Sequence, residues 1–146
     1  MKTELEGRTK DFAVRIVRLI RTFPKTVDGI GVGRQLLKAG TSIGANYREA
    51  NRAESRNDFI HKVGIAEKEA SETAYWLEIC EASTLGRPEE VTVLLKEANE
   101  LLAILTTIGR KAKGKSRVAT AIVSVLAVVG ITFSLSRFPL SAFHTH

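Results

Sequence analysis

The sequence predicts an all-α protein: an antiparallel up-and-down four-helix bundle followed by an extra apolar C-terminal helix or tail. Three observations carry this reading. Apolar residues recur at helical spacing in four separate runs. The connections between the runs are short, and the one between the second and third admits only an antiparallel neighbour. Aromatic residues make up 6% of the 146-residue chain, too few for a sheet protein whose strands favour aromatic and β-branched side chains.

The first run spans about Thr9–Phe23, with Phe12, Ile16, Leu19, Ile20 and Phe23 on one face and Arg15, Arg18 and Arg21 opposite. Pro24 ends it, because proline disfavours helical geometry in the residue before it. Lys25–Gly33 then reads as a loop with three glycines. Its GIGVG stretch imitates a phosphate-binding turn, but it follows a helix and no Lys-Ser/Thr pair comes after it.

Helix two is expected from Gly33 or Arg34 to Arg52, with Leu36, Leu37, Gly40, Ile43, Gly44, Tyr47 and Ala50 facing inward. A glycine inside a helix costs about 1 kcal/mol against alanine. Close approach of a neighbouring helix at Gly40 and Gly44 would offset that cost. Ser55 reads as an N-cap, with Asp58 completing a capping box. Helix three then runs from about Arg56 to Ser83 on the stripe Phe59, Val63, Ala66, Ala70, Ala74, Leu77 and Cys80, flanked by Thr73 and Glu81. Gly86 reads as its C′ residue. Pro88, Glu89 and Glu90 suit the first turn of helix four. Val91, Leu94, Leu95, Ala98, Leu101, Leu102, Leu105 and Ile108 carry that helix to about Lys111.

Residues 1–113 are thus expected to form the bundle, and 114–146 a basic linker with an apolar segment. KAKGKSR (Lys111–Arg117) breaks the pattern, and the eighteen residues Val118–Leu135 contain no charge. Eighteen is near the lower limit for a membrane span. The bases before it would keep the bundle in the cytoplasm. Docking on the bundle or on an oligomer, or an extension without fixed order, are the other readings of 118–135. A cytoplasmic protein is the leading expectation, with a bundle anchored to the inner membrane as the alternative. The N-terminus lacks the apolar core of a signal peptide, and the single cysteine, Cys80, excludes an internal disulfide.

All sixteen acids lie between Glu4 and Glu100, whereas six of the 22 bases follow Glu100. Residues 1–100 are therefore formally neutral, and the net +6 describes the tail. This weakens the case for the body as an electrostatic nucleic-acid binder.

No nucleophile–base–orienter set is visible, so no catalytic residues and no cofactor are expected. His61 stands alone and no Glu-x-x-His pair exists, so no metal site is expected. His144 and His146 are read as incidental to the terminus. Cys80 reads as a buried small hydrophobe. Asn46, Glu49, Arg52, Ser55 and Asp58 crowd the turn between helices two and three. They read as a satisfied network that caps two helix ends, or as a contact surface. Arg48, Arg52 and Arg56 are candidates for phosphate contact, with Lys111, Lys113 and Lys115 beyond the bundle. Tyr75 and Trp76 are adjacent and cannot both face the core, so one is expected inward and the other at an oligomer interface.

From about Asp11 to Lys113 the chain resembles a family of small four-helix-bundle proteins encoded in intervening sequences of bacterial large-subunit ribosomal RNA genes. The residues that carry the likeness are QLLKAGTSIGANYREANRAESRNDFIHKVGIAEKEASETAYWLE and LLKEANELLAILTTIGRKAK. Many members show Asn-x-x-Glu-Gly and then Ser-x-x-acid-Phe. Asn46, Glu49, Ser55, Asp58 and Phe59 match, while Ala50 replaces the glycine and Ala53 a common base. This chain looks like the subgroup with NYREAN there. The resemblance implies a ring-forming bundle, a homopentamer, with no enzymatic activity. A related bundle, the accessory protein of diversity-generating retroelements, implies RNA or DNA as a further partner. The apolar tail after Arg117 lies outside the family pattern.

Overall fold

A computed structural model describes residues 2–135, with side chains over residues 4–114. It contains four helices, α1 (Lys2–Ile20), α2 (Val27–Ala50), α3 (Arg56–Ala82) and α4 (Pro88–Leu135), and no strand among the described residues. By contacts the chain divides into two compact units, Met1–Ala112 and Lys113–His146.

Cross-helix pairs in the first unit give the topology. Arg8 meets Glu97 and Arg15 meets Glu90, so α1 and α4 run antiparallel. Gly40 lies against Ile16 and Gly44 against Thr9, which does the same for α1 and α2. Glu49 bridges to Lys62 across α2 and α3, and Glu67 accepts from Thr106 across α3 and α4. Four antiparallel seams close a square in which α1 and α3 are diagonal.

The core follows the helical stripes. Phe12, Ile16 and Leu19 of α1, Leu36 and Ile43 of α2, Val63 and Leu77 of α3, and Leu94, Leu101 and Leu105 of α4 are all fully buried. Phe59, placed on the α3 stripe, is only half-buried. A Cβ added at Gly40 would lie 3.0 Å from Ile16 Cγ1, and one at Gly44 3.2 Å from Thr9 Oγ1. Both glycines are therefore where α1 and α2 press together, as the small-residue reading expected.

Three boundaries differ from the sequence reading. Helix α1 begins at Lys2, two turns earlier than expected, and buries Leu5 and Thr9; Thr9 Oγ1 donates back to the Leu5 carbonyl at 2.9 Å. The Lys25–Gly33 stretch is mostly helix, not loop. Thr26 caps α2, its hydroxyl accepting from the Gly29 N–H at 3.4 Å, and the Asp28 carboxyl is held below its usual range by the Thr26 hydroxyl and nearby backbone N–H groups. Glycine content masked this start: a Cβ at Gly29 would strike the Pro24 carbonyl oxygen at 2.3 Å, so the tight entry into the helix demands a glycine there. Finally, Lys111–Arg117 does not break the helix; α4 continues through it.

The end of α3 also corrects an expectation. The C′ residue is Thr84, with φ 55°, and not Gly86. Leu85 N–H donates to the Cys80 carbonyl at 2.9 Å and Thr84 N–H to that of Glu81 at 3.3 Å, the two bonds of a Schellman ending. Gly86, with φ 84°, serves the turn that follows.

Candidate functional site

The turn between α2 and α3 is built from local caps more than from one network. Ser55 Oγ accepts from the Asp58 N–H at 3.1 Å and caps α3. Asn46 turns back on its own helix, donating to the Ser42 carbonyl at 2.8 Å. Glu49 leaves the turn for Lys62, at 2.5 Å, and raises that ammonium above its ordinary range. Asn51, beyond the residues singled out from sequence, donates to Glu6 at 2.8 Å and ties the turn to α1. Asn51 also hydrogen-bonds the Tyr47 phenol, whose pKa burial pushes up.

The same end of the bundle gathers bases. Arg48 and Arg52 are exposed. The Arg56 guanidinium donates to the Ala112 carbonyl from Nη2 at 2.7 Å and Nε at 3.3 Å, which brings the start of α3 beside Arg110, Lys111 and Ala112. Arg56 thus commits two of its five donors within the chain. Lys113 is exposed, whereas the Lys115 side chain lies outside the described residues. Next to this end, Leu5, Tyr47, Ile104 and Ile108 line a groove of about 550 Å³ between α1 and α4, with Arg8 and Lys111 on its rim. Arg8 is held by a fork on Glu97, at 2.6 and 2.8 Å, and by Glu100 at 2.5 Å.

Tyr75 and Trp76 differ in exposure. Trp76 packs against the core and donates to Glu72 at 3.4 Å, while Tyr75 is 53% exposed. Their rings meet edge to face at 5.2 Å. Tyr75 and Leu102 line a shallow groove of about 590 Å³ along α3 whose rim carries Glu67 and Glu72.

A second apolar surface was not anticipated. Val27, Ile30 and Leu37 are 92%, 52% and 40% exposed on α2. They fall with Arg34 within one outward arc of the helix. A groove of about 440 Å³ runs beside them, lined by Ile20, Phe23 and Ile30 and edged by Arg21, Lys25 and Arg34. The sequence conceals this surface: Val27 and Ile30 fall in the stretch that reads as loop, and Leu37 falls on the face that reads as core. The pair Thr26 and Asp28, an N-cap followed by a first-turn acid, was the signal that could have exposed it.

Cys80 is fully buried, and burial pushes its thiol pKa up to about 11. Among the described residues no group of three or more His, Cys, Asp or Glu is placed to hold a metal ion. His144 and His146 lie outside the described residues. Among the described residues no helix is long and apolar enough to cross a membrane. The side chains of 118–135, the stretch weighed as a membrane span, also lie outside them, so the transmembrane reading gains no support from the fold.

No curated protein matches the chain significantly. One solved structure that does is a protein of unknown function from the S23 ribosomal protein family of Bacteroides thetaiotaomicron, 39% identical, with a TM-score of 0.68 over 75% of this chain and 99% of that one. The model of the 23S rRNA-intervening sequence protein family matches residues 2–107, the stretch that contains all four seams of the bundle. The chain therefore belongs to the 23S rRNA-intervening sequence protein family.

Proposed function

We propose that this chain is a non-enzymatic bundle that assembles with copies of itself and acts as an interaction or scaffold protein. The observation that carries the reading is the apolar surface left over once the core is complete: Ile30 and Leu37 on α2, and Tyr75 on α3. Large exposed apolar side chains clustered with a groove mark association surfaces, and tyrosine is enriched at them. We take the assembly to be a ring of five copies, the form that the resemblance noted from the sequence implies. Light scattering of the full-length protein tests the reading. The expected mass is a multiple of 16.0 kDa. A single 16.0 kDa species at tens of micromolar would overturn it.

A second reading is favoured by the gathering of Arg48, Arg52, Arg110 and Lys111 at one end of the bundle. In this reading that end holds the phosphate backbone of RNA or DNA. Retention on a labelled RNA should then fall steeply with salt, by a slope of about −0.7 per phosphate on a single strand. Binding that ignores salt, or no binding in low salt, removes it.

A further inference from the structure

The charges of the bundle are sorted by helix. Residues 1–52, which supply α1 and α2, carry eleven bases against five acids. Residues 53–100, which supply α3 and most of α4 in the first unit, carry five bases against eleven acids. Residues 1–100 are neutral in total yet split into +6 and −6; Arg110 and Lys111 at the end of α4 in the first unit reduce the second side to −4. Because the four helices close a square with α1 beside α2 and α3 beside α4, the two halves form opposite sides. Some of this charge is consumed inside: Arg8 and Arg15 of α1 pair with Glu97, Glu100 and Glu90 of α4. On the outer face of α2, Arg34 and Lys38 form no ion pair with a described residue. The same holds for Glu78 on α3.

Each side also carries exposed apolar groups. The basic side has Val27, Ile30 and Leu37, and the acidic side has Tyr75 at 53% exposure. The α3 groove at Tyr75 is lined by Glu67 and Glu72 with one base, Lys68, between them, so acids outnumber bases two to one. Gly64 and Ser71 line it as well, so its floor is low enough to receive side chains from a facing helix.

We propose that the α2 face bearing Ile30, Arg34 and Leu37 seats on the Tyr75 groove of α3 in a second copy, head to tail. This rests on the self-association proposed above and names its interface. Two identical basic faces would repel, as would two identical acidic faces, so a symmetric face-to-face pairing is disfavoured on either side. The basic and acidic sides attract each other, and both are present on every copy. An interface made of two different patches leaves every open assembly with one free patch of each kind, one at either end, so assembly continues until a ring closes.

Two charge-reversed full-length variants test this: Arg34→Glu with Lys38→Glu on α2, and Glu72→Lys with Glu78→Lys on α3. All four positions lie outside the core, and far-UV circular dichroism checks that each variant remains helical. Each variant alone is expected to be a monomer at concentrations where the unaltered protein assembles, with association weakened at least about 100-fold. Mixed in equal amounts, the two should associate again as alternating copies, because each supplies the patch that the other has lost and the reversed patches are complementary; strict alternation cannot close a ring of five, so the mixture is expected as open chains or even-numbered rings. Assembly of the unaltered protein should also weaken with salt. If both variants keep the unaltered mass, this interface is wrong while self-association stands. If each is a folded monomer but the mixture stays monomeric, head-to-tail pairing is wrong. If the unaltered protein is itself a monomer, the underlying reading fails and this one with it.

Discussion

At the scale of single residues, the turn after α3 shows a compromise. Thr84 holds a left-handed φ of 55°, where its β-branched side chain is poorly accommodated and glycine is the usual choice. Its Schellman bonds need only the backbone, and its hydroxyl donates to the Ser83 carbonyl at 2.7 Å, a local bond exposed to water. Thr84→Gly should therefore stabilise the fold by about 1 kcal/mol, measured by urea unfolding with an unchanged m-value. A loss of stability would mean that the hydroxyl matters more than the backbone strain. From the sequence, glycine was the visible marker of this ending, and Gly86 drew the assignment. The true C′ residue was hidden because threonine carries no signal for a left-handed conformation.

At the scale of helices, stripes were legible and ends were not. The core faces of α3 and α4 are legible in the sequence, the half-buried Phe59 apart, because burial repeats every three to four positions. The start of α2 was missed because glycine lowers helix propensity whatever its reason for being there. Gly29 and Gly31 have opposite reasons. A Cβ at Gly29 meets the Pro24 carbonyl oxygen at 2.3 Å, whereas one at Gly31 meets nothing within 4 Å. Gly29→Ala should cost about 2 kcal/mol through displaced backbone. Gly31→Ala should gain about 0.5–1 kcal/mol through propensity. Thermal melts of the two variants should move in opposite directions, and a shift of the same sign in both would contradict the tight entry into α2 described at Pro24 and Gly29.

The seam between α1 and α4 makes a prediction at the same scale. The Arg8 guanidinium holds the Glu97 carboxyl below the usual carboxylate range. A carboxyl with a lowered folded pKa adds stability in full above its unfolded value of about 4.3 and loses it as the pH falls through the folded value. The side chains are 36% and 22% exposed, so solvent screening limits the gain. Arg8→Met should cost about 1 kcal/mol at pH 7. That difference from the unaltered protein should shrink as the pH drops below about 4. A deficit that persists undiminished in acid would assign the loss to packing of the Arg8 stem rather than to charge.

At the scale of the molecule, the apolar core found among the described residues belongs to the first unit: its members run from Leu5 to Leu105, and that unit ends at Ala112. The charge break after Glu100 is visible in the sequence, whereas the surfaces proposed for association depend on which helices become neighbours, and no periodicity reports that. A chain ending at Lys113 keeps every core side chain, the Arg56–Ala112 hydrogen bonds, and both the Ile30–Leu37 and Tyr75 faces. It should melt within about 3 °C of the full-length protein and assemble to the same number of copies. It loses Lys115, Arg117 and Arg137, half of the six bases that follow Glu100. If the tail shares in holding RNA, the salt slope of binding should fall by about 2, at roughly 0.7 for each of three phosphates released. An unchanged slope would confine the contact to Arg48, Arg52, Arg110 and Lys111. A truncated chain that stayed folded but became monomeric would move the association surface out of the bundle and into residues 114–146.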